Sequence, residues 1–478
     1  MNMKSLTIQL TLLFAATFIV SCEDYLDVNK NPNNPERVSM DLLMANSSFR
    51  TGDNIQAVGN ITSYYVQYLS SPNAFGTKDI HESANYDVTW QEIYQVMSDI
   101  RDIEVLAAEE GATHYAGVAK ILKAINLALV LDMWGDAPYG EAFSGEVLQP
   151  GYDDDAVLYD TLVRLVDEAI LDLADTESTA TPGDDDFIYG GDTGKWTKLA
   201  YSLKARFLLH GSKTAGYDPD AVMNAISNGI KSIADNAQVS YSTQGEDVYN
   251  PWALVAIDQE NSILDGWISE QIADAMNGTT FGVVDPRMPF MFSATDEGEF
   301  IGVTNGTGRG TGVDIEGDRS VISRGTYYAA NDSPILIITN SEMRFIEAEV
   351  ALEMGNKATA YTAYLDGIRS HMEMLDVEAA KIQAYISHPA VAVGVDNVTL
   401  DLIMKEKYVA LFLHPETWND ARRFDYQYED MTLPANHNPE LGGQFIRRVN
   451  YPDSEISRNA ANVPSLTLLD RIWWDEEN

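Results

Sequence analysis

A single cysteine in a chain of 478 residues limits what holds this fold together. With no second thiol, an intrachain disulfide framework and a thiolate metal cluster are both excluded, so packing and hydrogen bonding must do the work. The position of that cysteine adds a second constraint. Lys4 supplies a positive start, residues 6–20 form an almost uncharged apolar run, and Ile19-Val20-Ser21 leads into Cys22. The run falls short of the about twenty residues that a spanning helix needs, and a small residue before a cysteine is what lipoprotein signal peptidase cuts. The expectation is removal of residues 1–21 and lipidation of Cys22. Each buried methylene contributes ~0.8 kcal/mol, so two or three acyl chains hold a body to a membrane for practical purposes irreversibly.

Beyond the signal no long apolar stretch recurs, while 45% of residues are hydrophobic, enough for a substantial core. The reading is a soluble body on a lipid tether. Its 31 basic and 73 acidic residues leave a formal net charge of -42, which repels polyanions at long range and provides no basic stripe for phosphates. Nucleic acid is thereby excluded as a partner.

Residues 22–37 read as the tether, rich in Asn and Pro, and 38–478 as one domain. That domain is expected to be mainly α-helical. Val118, Leu122, Ile125, Leu129 and Met133 form an apolar stripe at helical spacing. Further helices are predicted over 38–50, 56–70, 88–110, 155–175, 194–213, 219–235, 262–276, 340–355, 357–374 and 398–413. Ala348, Gly355, Ala360, Tyr364 and Gly367 are spaced as in a tetratricopeptide hairpin, with small residues where helices approach and an aromatic filling the gap. Long non-periodic stretches lie between, at 70–87, 136–152, 176–193, 237–261, 277–335 and 426–465. Loops of that length are uncommon unless they serve a function. Short strands are expected at 300–303 and 335–338, so the helical scaffold should carry an irregular, loop-rich layer with minor β structure.

Catalytic and cofactor motifs are absent or broken. GGDTGKW (190–196) lacks the first glycine and the Ser/Thr of a phosphate-binding loop, and NGTGRGTG (305–312) fails the dinucleotide spacing. There is no HExxH and no GxSxG. Asp27, Asn29 and Asn31 mimic the opening of a calcium loop, but Pro32 replaces its turn glycine and Val38 its closing acid. No metal, cofactor or catalytic residue is assigned. A carboxylate pair for glycoside hydrolysis stays open, because its members need only lie about 5 to 9 Å apart in space.

Several stretches resemble the SusD/RagB-like nutrient-binding lipoproteins. In order they are CEDYLDVNKNPNNP after the signal, GDAPYGEA (135–142), YDDDAVLYDTL (152–162), DFIYGGDTGKWTKLAYSLKARFLLH (186–210), DPR (285–287), MRFIEAEVALEMGN (343–356), ETWNDARRF (416–424), RRVNYPDSEISRN (447–459) and RIWWD (471–475). The resemblance implies tetratricopeptide-like hairpins in a superhelix, with loops and small strands building a binding face. It also implies an outer-membrane, outward-facing lipoprotein, for which acidic Glu23 and Asp24 beside the lipid look like an export tag. The implied partner is a SusC-like TonB-dependent transporter, the implied ligand an oligosaccharide or, in some members, a peptide. A surface glycosidase and a structural lid without ligand are the rival readings.

Within that frame Trp196 and Trp418 are read as helix-interface residues, and Glu416, Asp420, Arg422 and Arg423 as an internal ion network. Trp90, Tyr94, Trp473 and Trp474 are likewise read as core. A binder of neutral sugar needs flat apolar faces and a few hydrogen-bonding groups, so loop aromatics are the candidates. They are Phe75 with neighbouring Asn73, Tyr86, Tyr249, Trp252, Tyr327 and Tyr328.

Overall fold

The computed structural model describes residues 38–262, 265–308 and 317–476. Cys22, its signal, the tether and the calcium-like Asp27, Asn29 and Asn31 lie outside the described residues, as does part of NGTGRGTG.

The helices are α1 (Met40–Tyr65), α2 (Asp87–Glu110), α3 (Thr113–Trp134), α4 (Asp155–Leu173), α5 (Thr193–His210), α6 (Pro219–Asn228), α7 (Pro251–Ser262), α8 (Glu270–Asn277), α9 (Met288–Met291), α10 (Asn340–Glu353), α11 (Lys357–Met374), α12 (Ala379–Ile386), α13 (Leu400–Ala410), α14 (Glu416–Arg423) and α15 (Asp453–Arg458). Each of α1 to α5 packs against the next, and α10 against α11, so the scaffold is a run of helix hairpins. Side-chain caps start many of them. Asp154 accepts from Ala156 and Val157 ahead of α4, and Asn356 from Thr359 ahead of α11. The broken phosphate-loop motif is one of these caps, since Asp192 accepts from the Lys195 amide and opens α5.

The expected tetratricopeptide-like hairpin is α10–α11. Ala348, Ala360 and Tyr364 are buried, and a Cβ on Gly367 would stand 2.9 Å from the Phe345 ring. Only glycine lets the two helices come this close.

Other boundaries differ from expectation. The helices predicted over 38–50 and 56–70 are one helix, α1, because the polar residues between them are buried and bonded rather than turned out. Asn54 donates to Asn126 at 2.8 Å, Asn126 donates to Thr51 at 2.8 Å, and Gly52 lies where a Cβ would be 2.6 Å from the Tyr241 hydroxyl. The helix expected over 219–235 stops at Asn228, where Gly229 follows in extended conformation. Residues 251–262, expected within a loop, form α7.

Among the described residues four short strands form two antiparallel pairs. β1 (Leu69–Ser70) pairs with β3 (Trp267–Ile268), and β2 (Ala237–Val239) with β4 (Ile335–Ile338). The strand expected over 335–338 is therefore present, whereas 300–303 contributes only a bridge from Val303 to Ser269.

Inside the scaffold Trp134, Trp196, Trp418 and Trp474 are fully buried. Trp196 Nε1 donates to Asp186 at 2.7 Å, so the ring is buried without an orphaned polar atom. Arg422 lies over the rings of Trp418 and Trp474, at 3.8 and 4.7 Å from their centroids. Glu416 meets His210 at 2.7 Å, and Arg423 bridges Glu349 and Asp420 at 2.7 and 2.8 Å. The ETWNDARRF stretch is thus internal. Among the described residues no helix is long and apolar enough to cross a membrane.

Candidate functional site

The loop layer is assembled where α1 ends. Tyr68 N donates to Ser63 O at 2.8 Å and Gln67 N to Tyr64 O at 3.2 Å, with Gln67 left-handed at φ 58. This is the Schellman stop of a helix, with glutamine where glycine is usual. The chain then enters β1 and the loop after it.

Asp79 organises that loop. Its carboxylate accepts from Asn305 Nδ2 at 2.5 Å and from Gly306 N at 2.7 Å, while Asn305 also donates to Leu69 O and accepts from Ser269 Oγ. Burial pushes the Asp79 carboxyl up against these hydrogen bonds. A third segment closes over the knot, with Ala435 N on Asn305 O at 2.8 Å and Asn438 N on Ile80 O at 2.9 Å. Loops 71–80, 303–308 and 429–438 therefore form one fastened surface.

Asn73 and Phe75 stand on this surface. Asn73 is exposed in a turn, its amide donating to Ser71 Oγ at 3.1 Å, and Phe75 is 73% exposed. Tyr86, just before α2, is half-buried with its hydroxyl 2.8 Å from that of Tyr65, and burial pushes its phenol up to about 12.

The other candidates gather elsewhere. Asn250 N donates to Asn331 O and Asn250 Nδ2 to Ser333 O, both at 2.8 Å, which fastens the 246–252 segment against the 326–333 loop. This junction turns two of the expected platforms inward. Trp252 is 3% exposed in the first turn of α7, and Tyr328 is 5% exposed with its hydroxyl 2.9 Å from His371 Nε2 and its ring edge-on to Phe412. Both are corrected from loop platforms to core, since a buried ring presents no face to a ligand. Tyr327 stays half-buried and perpendicular to Tyr328, its phenol pushed up to about 12 by burial, and Tyr249 is half-buried near Arg324.

Contacts link the two groups. Lys78 Nζ donates to Asn60 at 2.7 Å and lies 4.5 Å from the Tyr64 ring centroid, and burial lowers its pKa. Tyr64 donates to Asp265, Gly266 lies against Gln259, and Glu260 next along α7 pairs with Arg324 at 2.6 Å. These contacts tie the Phe75 loop to the Tyr327 loop within one loop-built layer.

Sequence reasoning missed two clefts in it. One, of about 130 Å³, lies between Gln67, Glu270, Asp274 and Asp430; its neighbour, of about 200 Å³, lies between Phe281, Lys405, Tyr408 and Tyr428. Gln271 lines both. Their walls come from segments far apart in the chain, and no local pattern marks them.

Asp136, Asp154 and Asp155 bring carboxylate oxygens within 4.8 Å of one another. Each serves the local backbone, accepting from Asp155 N, from Ala156 and Val157 N, and from Trp473 N respectively. Burial pushes Asp155 up to about 6.

Residues 32–452 match a family model, SusD-like, described as starch-binding and associating with the outer membrane. Similar solved structures include a SusD/RagB family protein from Bacteroides thetaiotaomicron, with 21% identity and TM-score 0.75 over 92% of this chain and 100% of that one. A SusD homolog from Parabacteroides distasonis has 20% identity and TM-score 0.75 over 92% and 98%. A chitin-binding SusD homolog from Flavobacterium johnsoniae has 20% identity and TM-score 0.74 over 91% and 99%. Comparison with curated proteins finds no match.

Proposed function

This chain belongs to the SusD-like family, and from that premise we propose that it is a lipid-anchored surface protein that binds oligosaccharide and hands it to a TonB-dependent transporter without cleaving it. One observation carries the binding role: the helical scaffold holds a loop layer that offers an exposed Phe75 ring and two clefts lined by amides, hydroxyls and carboxylates. Flat apolar surface with a few convergent polar groups is what sugar recognition needs. The family description as starch-binding supports the ligand class, and the chitin-binding relative is a second glycan binder on this fold. Anchoring at Cys22 follows from the lipobox at the head of the chain.

Calorimetric titration with oligosaccharides and with peptides of matched length tests the reading. Glycan binding with no release of reducing ends is the expected result. Peptide binding alone, or hydrolysis by the purified protein, replaces it with one of its rivals. Cys22→Ser is expected to move the protein from washed membranes to the soluble fraction, and retention in the membranes contradicts the anchor. Crosslinking in intact cells should recover the transporter barrel.

A further inference from the structure

We infer that the two clefts meeting at Gln271 are adjoining sugar subsites, selective for glycans whose rings carry no acid group. The inference rests on the glycan reading above and assigns both its site and its ligand class.

The size is right for single sugar rings. With about 30 Å³ per water in the liquid, clefts of about 130 and 200 Å³ take up the space of roughly four and roughly seven waters. The lining is complementary in kind. Glu270, Asp274 and Asp430 line the first cleft with no lysine or arginine among them, and Gln67 and Gln271 add amides. Carboxylates and amides accept from and donate to hydroxyls. The second cleft supplies an aromatic wall from half-buried Phe281, with buried Tyr408 and Tyr428 behind it as its apolar floor and Asp401 and Glu429 at its side. Its one base, Lys405, is 2.6 Å from Glu406, so its charge is already answered.

The walls are held in place. Gln67 Nε2 donates to Thr432 O at 2.6 Å, Gln271 Nε2 to Glu429 O at 2.9 Å, and Asn277 Nδ2 to Asp274 Oδ1 at 3.0 Å. Two lining residues, Gln67 and Asp430, have left-handed backbone, at φ 58 and 61. Glycine at position 67 would close the same helix stop without steric cost. The chain keeps a glutamine, whose side chain grips the 429–434 wall; Gln67 is a positioning residue.

Charge sets the selectivity. Glu270, Asp274 and Asp430 line one small cleft, and burial, with a smaller part from the two neighbouring acids, raises the Asp274 carboxyl. A uronate placed among them adds a fourth like charge in a chain of net charge -42. Rejection by like charge is a strong source of specificity.

The test is calorimetric titration of the full chain in detergent with maltohexaose, cellohexaose and N-acetylated chitohexaose, each beside its counterpart oxidised at C6 to the uronate. A neutral probe should bind, and its oxidised counterpart should bind at least about tenfold more weakly at low salt, the gap narrowing as salt screens it. Asp274→Asn with Asp430→Asn should narrow the ratio of neutral to oxidised binding several-fold, whatever the lost acceptors do to neutral binding itself. Gln67→Gly relieves the left-handed backbone but loses the hydrogen bond of a buried side chain, so the melting temperature should move by only a few degrees while neutral binding weakens several-fold. Equal binding of oxidised and neutral probes overturns the ligand class and leaves the glycan reading standing. Neutral binding unmoved by Gln67→Gly, with a charge gap unmoved by the Asn pair, places the subsites elsewhere. No binding by any probe removes the glycan reading and this assignment together.

Discussion

The helical scaffold and the loop face treat charge in opposite ways. In the scaffold, ionised groups are buried and answered. Arg287 is fully buried between Asp285 and Glu406 with His371 Nδ1 at 3.3 Å, and Arg206 grips Glu342 with two bonds of 2.7 Å while donating to Ile337 O. On the loop face, Glu270 and Asp430 are exposed and line a cleft that holds no base. Aromatics divide the same way, with Trp134, Trp196, Trp418 and Trp474 sealed inside and Phe75 presented to solvent. Buried pairs add rigidity and lose heavily when split, whereas exposed groups leave stability nearly unchanged and stay available to a ligand. The difference separates the residues that hold the frame from those that read what binds to it.

The sharpest way to break that comparison is to split a buried pair. Arg287→Ala leaves Asp285 buried without its cation and Glu406 with Lys405 alone, and should cost about 3 to 5 kcal/mol of stability, read as a large fall in melting temperature. A fall of less than a few degrees would mean the scaffold charges are solvated after all.

Next comes acid. Burial alone would raise the Glu406 carboxyl, but Lys405 and Arg287 hold it down, to about 2. A depressed carboxylate contributes stability that is present above its unfolded pKa and lost as pH falls through the folded value. Thermal melts should therefore drop between about pH 4.5 and pH 2. A melting temperature that is flat across that window contradicts the pairing.

The smallest effects on the fold belong to the loop face, and one pair of aromatics isolates them. Trp252→Ala empties a buried site and should cost about 3 to 5 kcal/mol of stability. Phe75→Ala should leave the melting temperature unchanged and weaken glycan binding about fivefold, the loss of one stacking face worth on the order of 1 kcal/mol. Swapped outcomes in melts and titrations would put the binding ring at Trp252.

Much of the scaffold was legible in the chain because its helices repeat apolar residues at regular spacing, as α3 does from Val118 to Met133. The small residues Ala348, Ala360 and Gly367 marked the α10–α11 contact for the same local reason. The break at 51–55 misled because Gly52 and Asn54 look like a turn in sequence, yet their neighbours in space, Tyr241 and Asn126, are distant along the chain. Trp252 and Tyr328 misled likewise. Their segments are loop-like, and the Asn250 bonds to Asn331 and Ser333 that turn them inward are long-range. The clefts at Gln271 were invisible because their walls come from Gln67 just after α1, α8, residues 280–281 and 304–305, α13 and the 427–434 segment, and no local pattern records which segments meet.

The most direct test is a crystal structure of this chain with a bound neutral hexasaccharide. The sugar is expected on the loop face, with rings in the clefts beside Gln271 and the scaffold helices unmoved. A sugar seated on the helix hairpins α2 to α5, or found cleaved, would contradict the division between a frame that holds and a face that binds.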